Sequence, residues 1–475
     1  MKDRILQTLR ELRNYALSKN IEAVFFYHEE ESYLMRFANS AISLNTNEHL
    51  IRLDITVYEG CKRASYELIT DLSKVGEMKQ GVDIAAEMAR HAQPLNYTPT
   101  IPVYLESFVD ESGYDDSLAT ISNEERLAYF NAAVKDLETD EIKLSGIFSN
   151  GGNVTSQINT RSEYSQYFKT SDAQVTIVLS HASLNWEVIA EQSAQKKSEL
   201  NPAMLRRDLS FLLERYLHDA PQQLPLGRYN VIFGPAASSE LVSAMGWIGY
   251  NGGSMKRGFS FLAEEQVGSK VFSEKFNLID DPTRSETFPF RRDMMGMPRN
   301  PFPIFENGVF KSFTWYQDDA DEFGALPTGH TVMHDSPVLS GGDMDVNTLE
   351  ELVNMPRDLL SSRARTGTIG EGNDILYIPF LHYMNVVNPS KGLITASSRF
   401  GALLLKQDGS VVVPYNVRIT QSLLDIFGDR LAWLSKAQTV YNTSNSYGAR
   451  NPTSICLPVF IQVNDLEISH SNSSY

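Results

Sequence analysis

The sequence predicts an α+β protein of two domains: an α+β N-terminal domain, in which antiparallel strands combine with helices, and a β-rich C-terminal domain. The first observation behind this prediction is the length of 475 residues, because one domain usually has roughly 100–200 residues. The second is the mixture of helical and alternating apolar patterns in the first half. The third is the proline-rich segment 221–227 (PQQLPLG), which separates a long helical pattern from a new strand pattern.

The domain limits follow from that segment. The N-terminal domain is predicted to span residues 1–220 and the C-terminal domain residues 228–468. The end of the chain, 469–475, is rich in serine and asparagine. Such a polar terminus is predicted to be a disordered tail.

The composition argues against several classes of protein. A formal net charge of −17 and a pI of about 5.0 argue against a nucleic-acid-binding protein, which carries a basic face, and against binding to an anionic membrane. No apolar run approaches the roughly 20 residues of a membrane-spanning helix. The first 20 residues form an amphipathic helix without the apolar core of a signal peptide, so a cytoplasmic location is expected. Only Cys61 and Cys456 are present, which excludes a disulfide framework.

In the N-terminal half, helices are predicted where apolar residues recur at helical spacing, and strands where they alternate. The predicted helices are 2–19, 82–91, 123–137 and 201–218. The predicted strands are 21–28, 50–58, 62–70, 142–149, 153–160, 164–168 and 174–179.

The C-terminal half is predicted to be rich in hairpins. Asn307-Gly308 and Asp408-Gly409 are expected to be hairpin turns, because these dipeptides favour the turns that join two antiparallel strands. The predicted strands are 376–383, 392–400, 402–406, 411–417 and 456–463. A helix is predicted at 421–433, after Thr420 as its cap.

The stretch 228–261 has the pattern of strand, sharp turn, helix and glycine-rich loop. A strand at 229–233 stops at Gly234-Pro235, and Ser238-Ser239 is expected to cap the helix. The loop Asn251-Gly252-Gly253-Ser254 is expected to end the helix and to bring the backbone close to a ligand. The helix has one apolar face, formed by Leu241, Val242, Met245 and Ile248.

Two histidine patterns are candidates for metal binding. His28-Glu29 lies at the end of a strand with no second histidine nearby. His330 and His334 are four residues apart, a spacing that on a helix would point both rings at one ion. Gly329 and the β-branched residues that follow His330 disfavour a helix, so two loop histidines are the simpler interpretation. The alternative is a metal site completed by Asp318, Asp319 or Asp321.

Other catalytic patterns are absent or incomplete. No Gly-x-Ser-x-Gly nucleophile motif is present. Cys456 lies inside an apolar strand, which suits a packed thiol better than a nucleophile. The glycines at 367–372 lack the lysine of a phosphate-binding loop. A sheet edge in the C-terminal half could still bind an extended peptide through main-chain hydrogen bonds.

Several runs in the second half resemble one known family. They are VIFGP with the helix after it, NGGSMKRGFSFL, VFSEKFNLIDDP, FENGVFKSFTWYQDDADEFGALPTGH and GLITASSRFGALLLKQDGSVVVPYNVRITQSLLDIF. Together they resemble the TldD/TldE (PmbA) family, formerly called modulators of DNA gyrase. The resemblance extends over nearly the whole chain and is weakest before residue 140.

The resemblance implies a zinc metallopeptidase built from two kinds of chain, with extended or unfolded peptides as substrates, including leader peptides. The TldD-type chain carries a His-Glu-x-x-x-His helix, and the TldE-type chain lacks that motif and completes the chamber. In the present sequence the whole segment 231–254 contains no histidine, and Glu240 is its one acid. Since catalytic zinc takes about three protein ligands, no catalytic or metal-binding residue is assigned to this helix.

The first hypothesis is therefore a TldE-like, non-catalytic subunit, with zinc in a TldD-type partner chain. The partner relation is expected to be a heterodimer or higher assembly, or a homodimer. The second hypothesis is an independent metal-dependent hydrolase using His330 and His334, and the third is a peptide-binding homo-oligomer with no enzyme activity. Under the first hypothesis, six residues are candidates for lining the substrate channel: Asn251, Gly252, Gly253, Ser254, Gly329 and His330.

Overall fold

The computed structural model describes residues 1–217, 220–330, 335–361, 374–442 and 450–472. It confirms the α+β class. No helix in these ranges is both long and apolar enough to cross a membrane. The helices of the N-terminal half are α1 Lys2–Ser18, α2 Val75–His91, α3 Asp116–Ala119, α4 Asn123–Val134 and α5 Pro202–Tyr216. Its strands are β1 Glu22–Ala38, β2 Ala41–Glu59, β3 Lys62–Ile69, β4 Phe108–Gly113, β5 Ile142–Asn159, β6 Ser165–His181 and β7 Trp186–Ala194.

These seven strands form one sheet in the order β3-β2-β1-β5-β6-β4, with β7 also paired to β6. Helices α1 and α2 pack on β1, β2 and β5 through an apolar cluster. The sequence predicts two strands at 142–149 and 153–160, but β5 is continuous. Its glycines keep the ladder intact, because a Cβ on Gly151 would lie 2.1 Å from the carbonyl oxygen of Glu31 on β1.

The C-terminal half contains two further sheets. Their strands are β8 Gly227–Phe233, β9 Leu278–Asp280, β10 Phe302–Glu306, β11 Val309–Phe310, β12 Pro337–Leu339, β13 Ile375–Ile378, β14 Phe380–Asn388, β15 Leu393–Arg399, β16 Leu403–Leu405, β17 Val411–Val412, β18 Asn416–Ser422, β19 Leu431–Leu434, β20 Gln438–Asn442, β21 Ser454–Pro458 and β22 Ile461–Asn472. One sheet has the strand order β11-β10-β9-β12-β21-β20, and the other has the order β14-β15-β18-β22-β8-β13-β16-β17, with β19 paired to β22. The helices are α6 Pro235–Ile248, α7 Gly252–Lys256, α8 Gln317–Phe323, α9 Leu349–Asn354, α10 Arg357–Ser361 and α11 Leu423–Phe427.

Both predicted hairpin turns are confirmed. The turn between β10 and β11 has Asn307 at φ 50° and Gly308 at φ 74°, the two positive φ angles that an Asn-Gly turn of this kind requires. Asp408-Gly409 lies between the antiparallel strands β16 and β17. Cys456 is a buried free thiol in β21, as its apolar neighbours predict.

The two halves of the chain share one apolar core. Val188 of β7 and Leu212 of α5 belong to the same buried cluster as Tyr377 of β13, Leu403 of β16 and Phe460. The predicted boundary segment is also fixed, since Gln222 exchanges main-chain hydrogen bonds with Val413 and Tyr415. The proline-rich segment therefore joins two halves that pack against each other.

Two predictions about the C-terminal elements are wrong. The region predicted as a helix at 421–433 is the end of β18, the short helix α11 and the strand β19, because Leu431 and Leu434 are buried where β19 pairs with β22. The predicted disordered tail begins too early. Residues 469–472 belong to β22, which pairs with β18, and residues 473–475 lie outside the described part of the chain.

Arg450 ties the C-terminal half to the N-terminal sheet. Its guanidinium is buried and donates to the carboxylate of Asp172 at 2.6 Å and to the hydroxyl of Ser149 at 3.0 Å. Its main-chain N–H donates to the carboxylate of Glu30. Burial raises the pKa of Asp172, and the Arg450 guanidinium opposes that rise. The charged carboxylate thus depends on this arginine.

We expect Arg450→Ala to lower the free energy of unfolding by about 3–5 kcal/mol, the usual cost of leaving one charge of a buried pair without its partner. Chemical denaturation at pH 7 measures this loss. The double variant Arg450→Met/Asp172→Leu removes both charges and should be much more stable than Arg450→Ala. A double variant that is as unstable as the single variant would contradict an electrostatic origin of the loss.

Candidate functional site

Helix α6 begins at a turn whose geometry requires a glycine. Gly234 occupies the N-cap and Pro235 the first helical position, so Ser238 and Ser239 lie inside the helix and the predicted serine cap is wrong. A Cβ on Gly234 would lie 2.9 Å from the Tyr377 hydroxyl oxygen and 3.1 Å from the Cα of Pro379. The strand β8 therefore turns sharply into α6 against the next strand of the sheet.

Most of α6 is buried between the two C-terminal sheets. The predicted apolar face of Leu241, Val242, Met245 and Ile248 lies in the main core cluster. One stripe of the helix remains accessible: Glu240, Ser243 and Trp247, which share a face because they are three and four residues apart. The Trp247 side chain is 62% exposed, an unusual position for so large an apolar group on a buried helix. We call these three residues the α6 stripe.

The polar end of the α6 stripe lies near the seam between the two halves. Burial raises the pKa of Glu240. Glu240 is close enough to Tyr441 on β20 to raise the pKa of that hydroxyl, although burial and Glu191 contribute more. The Tyr441 hydroxyl donates to the Glu191 carboxylate on β7 at 3.0 Å. An acid of the helix, a phenol and a second acid therefore lie near one another at this seam.

The donor atoms of α6 do not fit a zinc ion. The helix carries no histidine or cysteine, and Glu240 is its only carboxylate. A catalytic zinc site needs about three nitrogen, sulfur or oxygen ligands from the protein. No cluster of three or more such side chains occurs in the described part of the chain.

Gly252 and Gly253, two of the predicted channel residues, pack against the segment that contains Trp315. Gly252 donates its N–H to the Thr314 carbonyl at 2.9 Å, and the Thr328 N–H donates to the Trp315 carbonyl at 3.0 Å. A Cβ on Gly252 would lie 2.4 Å from the Trp315 ring, and one on Gly253 would lie 2.1 Å from the Asp319 carboxylate. These glycines allow α7 to pack closely on the segment that contains Trp315 and Asp319.

The remaining channel candidates also make contacts inside the protein. The Asn251 side chain caps α7 by accepting from the Ser254 N–H at 2.8 Å, so the stretch that the sequence predicts as an open loop contains a short helix. Gly329 has φ 74° and precedes His330, which is 2% exposed. The role of these residues in lining a channel stays a prediction, but the N–H groups of Gly252 and Ser254 are already bonded within the chain.

His330 belongs to a buried ion-pair cluster. Its Nδ1 contacts the Asp280 carboxylate, and its ring stacks on Phe302 with centroids 4.6 Å apart. Arg299 donates to both Asp280 oxygens at 2.8 Å, and the Ser336 N–H donates at 2.7 Å. Burial alone would raise the pKa of Asp280, but Arg299 and His330 outweigh it, so this pKa lies below its ordinary value.

The acids proposed as further metal ligands have other partners. Asp318 pairs with Arg63 at 2.6 Å and Asp319 with Arg257 at 2.8 Å. Asp321 accepts from the Thr100 N–H at 2.7 Å. His334 lies outside the described residues, so the alternative of a metal shared by His330 and His334 stays a hypothesis.

A sequence model of the C-terminal domain of the PmbA/TldA metallopeptidases matches residues 226–470, which is more than half of the chain. The chain belongs to the TldD/TldE (PmbA) family. The family resemblance seen in the sequence is therefore confirmed. A search of curated proteins finds no match.

Solved structures of this family share the fold over the whole chain. The structure of TldE from Thermococcus kodakarensis has a TM-score of 0.76 at 17% identity and covers 98% of this chain and 100% of its own. Two proteins described as putative modulators of DNA gyrase match with a TM-score of 0.72 at 15% identity. One is from Thermotoga maritima, covering 98% of this chain and 99% of its own, and the other is from Bacteroides thetaiotaomicron, covering 98% of each. At these identities the likeness concerns the fold.

Sequence reasoning missed Glu191 and Tyr441 near Glu240, and Asp280 in the His330 cluster. Each is far from these partners in the chain, and nothing in its local sequence marks it. One signal was available for Trp247: it falls on the same helical face as Glu240, opposite the apolar positions used to predict the core.

We expect Glu240→Gln to raise the melting temperature slightly at pH 8. The folded-state pKa of Glu240 is raised, so the charged carboxylate opposes folding above that pKa, and the amide has no charge to desolvate. The advantage of the variant should shrink as the pH falls through the folded pKa, because the wild-type carboxyl is then protonated. Thermal melts from pH 5 to pH 8 measure this, and a variant less stable than wild type at pH 8 would contradict it.

The ion-pair cluster around Asp280 predicts a second pH dependence, in which the stabilisation is lost as the pH falls. Because the folded-state pKa of Asp280 is lowered, its stabilisation is present above its unfolded pKa of about 4 and is lost as the pH falls below it. Asp280→Asn should cost about 3–5 kcal/mol at pH 7, since it removes the carboxylate that accepts both bonds from an Nη of the buried Arg299. Urea titrations at pH 7 and pH 3.5 should show a smaller cost at the lower pH, and an equal cost at both would contradict the assignment.

Proposed function

We propose that this chain is a TldE-like, non-catalytic subunit that completes the peptide chamber of a TldD-type zinc metallopeptidase. The observation that carries the proposal is helix α6. It keeps the strand, glycine turn and buried helix expected of a zinc helix in this family, but its accessible stripe is Glu240, Ser243 and Trp247. One carboxylate cannot supply the two histidine ligands that such a helix contributes.

The catalytic zinc is then held by the partner chain, where a His-Glu-x-x-x-His helix supplies two ligands and a general base. When bound there, zinc would supply the activation of a water for hydrolysis of a peptide bond. The residues of the present chain would contribute to binding the substrate and to excluding bulk water. A dry chamber strengthens the electrostatic interactions that stabilise the reacting groups.

The α6 stripe is the part of this chain that we expect to contact an extended peptide. Trp247 offers a large apolar surface with few rotatable bonds, the kind of side chain that dominates binding energies at interfaces. Ser243 and Glu240 offer one hydroxyl and one carboxyl group beside it. Such a surface holds apolar side chains and peptide N–H groups with little sequence preference, which suits unfolded peptides and leader peptides in the cytoplasm.

Co-expression with a TldD-type chain from the same source tests the proposal. The two chains should copurify as a heterodimer or larger complex, and the complex should cleave an unfolded peptide. The present chain alone should not cleave it, and a partner carrying His→Ala in its zinc motif should abolish the activity of the complex. Peptidase activity of the present chain alone would overturn the proposal, and so would full activity of the partner without this chain.

We expect Trp247→Ala to weaken peptide binding by the complex by about tenfold, which corresponds to roughly 1.4 kcal/mol. Because the side chain is mostly exposed, the variant should fold and bind the partner normally. Leu105→Ala is the matched control, since Leu105 is also an exposed apolar residue, 83% accessible, but lies in the N-terminal half. Equal KM values for the complex with Trp247→Ala and with the control would contradict a role for the stripe in peptide binding.

A further inference from the structure

A row of polar side chains crosses four neighbouring strands on one face of the C-terminal sheet. His382 on β14 lies opposite Ser397 on β15, Ser397 opposite Arg418 on β18, and Arg418 opposite His470 on β22. Residues directly opposite each other on adjacent strands have their side chains on the same face. We call these four residues the cross-strand row.

The cross-strand row lies in a groove of about 820 Å³. This volume falls in the range of small-ligand sites, roughly 300–1,000 Å³. All four members line the groove, together with Arg399, Asn416, Tyr383 and one carboxylate, that of Glu187, which is paired with Arg399. Most of the polar groups gathered here are hydrogen-bond donors: guanidinium, imidazole, hydroxyl and amide groups.

Two hydrogen bonds position the Arg418 guanidinium and leave further N–H groups for a ligand. Its Nε donates to the Thr395 hydroxyl at 3.0 Å and one Nη to the Ser397 hydroxyl at 3.2 Å. A guanidinium has five N–H groups, and no carboxylate in the described part of the chain lies within ion-pair distance of Arg418. Neutral hydroxyl partners hold the side chain in position without neutralising its charge.

The neighbouring Arg399 is neutralised and fixed. It donates to the Glu187 carboxylate at 3.0 Å and lies over the Phe400 ring at 4.4 Å. One Nη of Arg399 lies 3.5 Å from Nδ1 of His382. Because a guanidinium only donates, Nδ1 of His382 is the acceptor, and Nε2–H is the donor of the ring. Glu187 is therefore paired with Arg399. The positive charge of Arg418 remains available for an anion, in a protein whose overall charge is −17.

Tyr383 at the rim of the groove has an unusual backbone. Its φ is 52°, in the left-handed region that large side chains rarely adopt, and its ring is 69% exposed. Strained residues of this kind concentrate at functional sites. The strain turns an aromatic surface outward beside His382, with ring centroids 3.9 Å apart, next to the donors of the row.

We propose that the cross-strand row binds the carboxylate of a peptide, with Arg418 as the charged donor and Tyr383 as the surface for the adjoining side chain. This inference rests on the proposed function for its choice of a peptide as the source of the anion. Charge-assisted bonds from a guanidinium to a carboxylate are roughly twice as strong as neutral hydrogen bonds. The free C-terminus of an extended peptide, or of a cleaved product, carries that group.

The test compares two fluorescent peptides of the same extended sequence, one ending in a carboxylate and one in an amide, binding to the full chain. The acid should bind about tenfold more tightly than the amide at low salt, and the difference should decrease as salt is added. Arg418→Gln should abolish the preference and Arg418→Lys should keep part of it. Arg36→Gln, an exposed arginine on β1, is the matched control and should leave the preference unchanged.

Two results would overturn the inference. One is equal binding of acid and amide by the wild-type chain. The other is competition by inorganic phosphate at a site that shows no acid preference, which would indicate a free oxyanion as the ligand. If Arg418→Gln does not fold, Arg418→Lys replaces it, because it keeps the charge but loses the planar set of N–H donors and should reduce the preference for the acid. The measurement needs neither zinc nor partner, so its failure is distinguishable from failure of the proposed subunit role.

Discussion

Helix α6 packs through Leu241, Met245 and Ile248 into the apolar core between the two C-terminal sheets. That contact constrains its neighbours. The turn at Gly234 must be tight because Tyr377 and Pro379 lie against it, and the short helix α7 that follows packs closely on Trp315 through Gly252. The α6 stripe is the part of the helix that lies outside this core.

The two halves of the chain meet close to helix α6. The N-terminal sheet reaches the seam near α6 through β7, whose Glu191 accepts from Tyr441 on β20. Arg450 and the shared core of Val188, Leu212 and Leu403 hold that arrangement. The two halves therefore meet through both apolar and charged contacts.

Much of the fold could be predicted from local patterns. The Asn307-Gly308 turn, the buried face of α6 and the long N-terminal helices follow from turn chemistry and periodicity, which act within a few residues. The helix predicted at 421–433 failed because its leucines also fit a buried strand, and pairing with β22 decides between the two. Local sequence carries no information about that pairing.

The site was less predictable than the fold. The absence of histidine from α6 could be read directly from the sequence, whereas the closeness of Glu191 and Tyr441 could not. The cross-strand row consists of residues from four strands that are spread over about ninety positions, and only the sheet register brings them together. Gly252 and Gly253, which the sequence predicts to approach a ligand, allow close packing on Trp315 and Asp319, and their role in lining a channel stays a prediction.

The zinc content of the purified chain tests the central claim most directly. Elemental analysis of the isolated chain, and of its complex with a TldD-type partner, gives the number of zinc ions per chain. We expect no stoichiometric zinc in the isolated chain and one zinc per partner chain in the complex. One tightly held zinc per isolated chain would contradict the claim that α6 keeps the frame of a zinc helix without its ligands.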